Sequence, residues 1–67
     1  MNLTPNLIEA LDLARTDRFS GVRVRALRDL YDDATAEEKP YIAELFEVFV
    51  SLVQTPDDLE VLSTARV

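Results

Sequence analysis

Residues 41–54, YIAELFEVFVSLVQ, constrain this chain more than any other stretch. Apart from the Tyr41 hydroxyl, the polar residues are Glu44, Glu47, Ser51 and Gln54, at intervals of 3, 4 and 3. On an α-helix those intervals run along one narrow stripe. Everything else on such a helix is apolar, and a helix apolar nearly all round has to be covered on more than one side. A strand reading is weaker. Alternation would place Glu47 on the same face as Leu45 and Phe49, and no turn signal supplies a partner strand. The segment is therefore either the central helix of a small bundle or a helix partly covered by a second chain.

The chain has 67 residues, enough for one helical domain, 1–67, with a small core. It contains no cysteine and no histidine. Disulfide staples, Cys/His zinc sites and thiol or imidazole catalysis are thereby excluded. Oligomerisation is the remaining aid to a core this small, so a homodimer is expected. Residues 1–14 carry Glu9 and Asp12 and no basic leader, and the apolar stretch falls short of the roughly 20 residues that span a bilayer. A cytoplasmic protein without membrane contact is the expectation.

The fold class expected is all-α, with three principal helices and a short C-terminal one. Thr4 reads as an N-cap with Pro5 at the first helical position, and Leu3 and Ile8 are spaced as a hydrophobic staple. Leu7, Ile8, Leu11 and Ala14 form the apolar face of this first helix, with Ala10 at its margin and an end near Thr16. The only glycine, Gly21, marks the break before a second helix, capped by Asp17 or Ser20 and running to about Asp33. Thr35 and Glu38 match a reciprocal capping box. Pro40 separates a short turn at 36–39 from a long helix starting near Lys39 or Pro40, with one helix kinked at Pro40 as the alternative. Thr55-Pro56-Asp57-Asp58 repeats the start signal for a fourth helix to about residue 65, with Leu59, Leu62 and Val61 as packing residues. The expected core is Leu27, Leu30, Leu45, Phe49 and Leu52.

The net charge of −6 is divided along the chain. Residues 15–28 hold five arginines against Asp17, whereas residues 29–60 hold ten acids against Lys39. Asp29, Asp32, Asp33, Glu37 and Glu38 lack the spacing of a calcium loop, so no metal site is expected from them. Ser20, Ser51 and Ser63 have no histidine partner, and one glycine cannot build a phosphate loop. No catalytic residue, cofactor or enzymatic activity is expected. Residues 13–30, with Val22-Arg23-Val24-Arg25-Ala26-Leu27-Arg28-Asp29-Leu30, resemble in part the helix-turn-helix of bacterial repressors. The glycine is displaced and the interval from Ala14 to Ala26 is one residue short.

Two functions follow as expectations. The first is a small acidic protein–protein interaction module, regulatory or inhibitory, with a phage or plasmid origin as one version. It would act by occlusion, its acids standing in for nucleic-acid phosphates before a protein target with a basic surface. Ala43, Phe46, Val50 and Val53 would be its partner or dimer interface, and Asp29, Asp32, Asp33, Glu37 and Glu38 its acidic partner surface. The alternative is a DNA-binding regulator that contacts nucleic acid through Arg23, Arg25 and Arg28. The acidic half opposes phosphate binding, so nucleic acid is the less favoured partner.

Overall fold

A computed structural model of the chain describes residues 3–67. Three of its helices start where a hydroxyl residue accepts an orphan N–H. Thr4 caps α1 (Pro5–Ala14) by accepting from Leu7 N, Ser20 caps α2 (Gly21–Asp33) from Arg23 N, and Thr55 caps α4 (Pro56–Ala65) from Asp58 N. The other helix, α3 (Lys39–Val50), follows the turn at 36–38. There the capping box forms in both directions. Thr35 N donates to Glu38 Oε1 at 2.9 Å, and Glu38 N donates to Thr35 Oγ1 at 3.3 Å. Among the described residues there are four helices and no strand.

Several boundaries differ from the sequence expectation. Helix α1 stops at Ala14, and α3 stops at Val50, so Leu52 and Val53 lie beyond it. Gly21 opens α2 instead of breaking the chain; the break is the preceding segment, where the Thr16 side chain both donates to Arg18 O and accepts from Arg18 N. Gly21 has no positive φ.

The buried apolar residues form one cluster: Leu7, Ala10 and Ala14 from α1, Val24 and Leu27 from α2, Ile42, Phe46 and Phe49 from α3, Leu62 and Ala65 from α4. Both α2 and α3 touch every other helix, while α1 and α4 do not meet. Ile42, Phe46 and Phe49 project within about 60° of one another at 100° per residue, opposite Glu44, Glu47 and Ser51. The polar stripe therefore faces solvent and the core lies directly behind it. Phe19, in the α1–α2 connection, closes one end of the core edge-on to Phe49, with ring centroids 6.2 Å apart.

Three packing expectations are corrected. Leu30, Leu45 and Leu52 are only half-buried, whereas Phe46, Ile42 and Val24 complete the core with Leu27 and Phe49. In α1 the buried stripe is Leu7, Ala10 and Ala14, and Ile8 and Leu11 are exposed. Helix α1 thus turns Leu7 and its two inner alanines toward the core and leaves Ile8 and Leu11 at the border. In α4, Leu59 is exposed, and Leu62 and Ala65 do the packing.

Candidate functional site

The arginines expected to contact nucleic acid do not form a free row. Arg23 starts in the first turn of α2 and reaches back across α1. Its Nη1 donates to Asp12 O at 3.0 Å and Leu13 O at 3.3 Å. Those carbonyls belong to the last turn of α1, where a cation also meets the negative end of the helix dipole. Arg28 performs the same task on α4. Its Nη1 donates to Ala65 O at 3.4 Å and Arg66 O at 3.3 Å, while its Nε pairs with Asp32 at 3.0 Å. The Tyr31 ring lies within 5.7 Å of the Arg28 guanidinium and 5.3 Å of Lys39 Nζ. Arg25 is exposed and lines the mixed-charge notch between α2 and α4 with Asp29, Asp57 and Glu60. Two of the three arginines thus serve as helix clamps.

The acidic surface is also reduced by one member. Asp29, Asp32, Asp33 and Glu37 are exposed, but Glu38 is only 6% exposed. Its carboxylate accepts from the Thr4 hydroxyl, from Asn6 Nδ2 and from Thr35 N. It therefore ties the start of α1 to the turn before α3. The Thr4 bond and then the Thr35 bond do most to hold its carboxyl below the ordinary value of 4.5. Burial opposes them and is outweighed. Among the described residues no group of three acids is placed to hold a metal ion, and no helix is long and apolar enough to cross a membrane.

The expected seam on α3 does not exist as a surface. Phe46 is 1% exposed and lies in the core; Ala43 and Val53 are half-buried, and Val50 alone is exposed. At 100° per residue Phe46 lies about 120° from the centre of the polar stripe, well inside the buried arc.

Apolar surface is concentrated elsewhere, between α1 and α3. Leu3, Leu7, Leu11, Tyr41 and Leu45 line an open hollow there, with Glu44 at its border. A second hollow continues over Leu3, Pro5, Ile8 and Leu11, bordered by Glu9, Asp12 and Arg15. Leu3 and Leu11 belong to both, so the two hollows adjoin as one apolar surface that runs from the α1–α3 junction onto the outer side of α1. Leu3 and Ile8 are each 54% exposed, Leu11 47% and Tyr41 46%. These side chains are left about half in water and make an exposed apolar patch on the described surface. The sequence held a signal for it: α1 has more large apolar residues than its buried stripe uses. Comparison with protein families, curated proteins and solved structures finds no match to the chain.

Proposed function

We propose that this protein is a small acidic protein–protein interaction module, regulatory or inhibitory in kind, which acts by binding and occlusion. The observation that carries the reading is the contiguous apolar surface of Leu3, Ile8, Leu11 and Tyr41, which extends from the outer side of α1 into the hollow that α1 shares with α3. The exposed acids Asp29, Asp32, Asp33 and Glu37 lie elsewhere on the surface, and with the net charge of −6 they contribute a long-range negative potential that steers a basic-surfaced protein toward the molecule. A two-fold homodimer, if it forms, uses this apolar surface and not the buried Phe46. Self-association then brings like charges together, so it is weak and strengthened by salt.

The test is affinity capture from the native host with wild type and an Ile8→Asp/Leu11→Asp variant as baits, alongside sedimentation of both. A partner, or a dimer, present with wild type and absent with the variant is expected. A monomer that captures nothing dependent on these two residues refutes the module reading.

A further inference from the structure

We infer that the α1–α3 groove receives an amphipathic helix of a partner protein, one that carries lysine or arginine along both borders of its apolar face. This rests on the interaction reading above and names the occupant. The groove runs beside α1, whose 10 residues measure about 15 Å, so it matches a partner helix of about three turns. Its floor is apolar; the exposed Glu9 and Asp12 border it on the outer side of α1, and Glu44 borders it on α3. Among the residues lining it the one cation is Arg15.

That charge arrangement selects among occupants. A second copy would set three carboxylates against three, with one arginine from each chain to offset them. A nucleic acid or an anionic lipid surface would be repelled by the same border, and neither has use for a leucine-lined floor. A cationic amphipathic helix satisfies both features at once: its leucines fill the floor while its ammonium or guanidinium groups meet the border acids.

The test uses a labelled synthetic helix of about 14 residues with a leucine face flanked by lysines, and a twin with glutamates in place of the lysines. Wild-type protein should bind the lysine peptide and not the glutamate twin, by fluorescence anisotropy. Ile8→Asp/Leu11→Asp should weaken the lysine peptide at least about tenfold with the fold intact by circular dichroism, since both side chains are exposed. Glu9→Lys/Glu44→Lys should reverse the preference toward the glutamate twin, which loss of structure cannot do. Equal binding of the lysine peptide by wild type and the Ile8/Leu11 variant would reduce the effect to general attraction toward an acidic chain and overturn the proposal. If neither peptide binds but sedimentation shows a dimer that Leu11→Asp abolishes, the occupant is a second copy; this proposal then falls and the interaction reading stands. If neither peptide binds, no dimer forms and host capture is independent of the groove, both fall.

Discussion

At the scale of single residues, Glu38 shows how one carboxylate joins segments far apart in sequence. Its partners come from Thr4, Asn6 and Thr35, so it holds the first turn of α1 against the turn that launches α3. Its carboxyl ionises more readily in the folded chain than in the unfolded one. The stabilisation is therefore complete above the ordinary value of 4.5 and is lost as pH falls through the lower folded value. Urea unfolding of wild type and Glu38→Gln across that acid range should give a difference that shrinks as pH drops. A difference constant with pH would mean that the charge of Glu38 plays no part. Gly21 makes the opposite point. Its φ is not positive, and an added Cβ would meet Val61 Cγ1 at 3.5 Å and Arg25 Nη1 at 3.6 Å, both ordinary contacts. Gly21→Ala should stabilise by about 0.4–1 kcal/mol, chiefly by restricting the unfolded chain. A lowered melting temperature would show that the α2–α4 contact is tighter than these distances indicate.

At the scale of elements, α2 is the helix that organises the others, and it does so with side chains from its first turn and its middle. Arg23 and Arg28 donate to the C-terminal carbonyls of α1 and α4, neither of which has a basic residue of its own in its last turn. Arg23→Ala should cost about 1 kcal/mol in chemical denaturation, whereas Arg25→Ala should stay within about 0.5 kcal/mol. Equal costs for the two would remove the clamp as an explanation. The orientation of α1 invites a second contrast. Ala10 is wholly buried and Ile8 is exposed, so Ala10→Leu should destabilise by about 1–3 kcal/mol while Ile8→Ala costs less than about 0.5. The start signals of all four helices were legible in the sequence because caps and prolines act within a few residues of each terminus. The rotation of α1 was not, because Leu7, Ile8, Ala10, Leu11 and Ala14 make a face too wide for the buried arc, and only the neighbouring helices choose which part of it goes inside.

At the scale of the whole molecule, ten buried apolar residues among those described, drawn from four helices, make one core that includes the fully buried Phe46 and Phe49. Phe46→Ala and Phe49→Ala should each cost about 3–5 kcal/mol, a large part of the stability of so small a chain. If Phe46→Ala were to unfold at wild-type denaturant concentration, the placement of that ring in the core would be wrong. The outer surface is dominated by acids, and two of the arginines on α2 are held by backbone carbonyls. Duplex DNA should therefore show no measurable binding at physiological salt. A steep salt-dependent affinity in an anisotropy titration, lost in Arg15→Glu/Arg25→Glu, would contradict this.

By itself the sequence determined the helical class, the four starts and the reciprocal Thr35–Glu38 turn, since each depends on hydrogen bonds and backbone preferences that act over three or four residues. It also determined that residues 41–54 could not stand alone in water. What the tertiary structure decided was where the surplus apolar surface emerges. Helix α3 turns its polar stripe directly away from Ile42, Phe46 and Phe49, which draws Phe46 into the core and ends its use as an interface. Helix α1 approaches on Leu7, Ala10 and Ala14, which leaves Ile8 in water and Leu11 partly in water beside Tyr41. Helix periodicity specifies which residues share a face. Which of two adjacent faces is buried depends on the volumes of side chains on other helices, and the arginines were assigned in the same way, by carbonyls 10 to 38 residues distant in the chain.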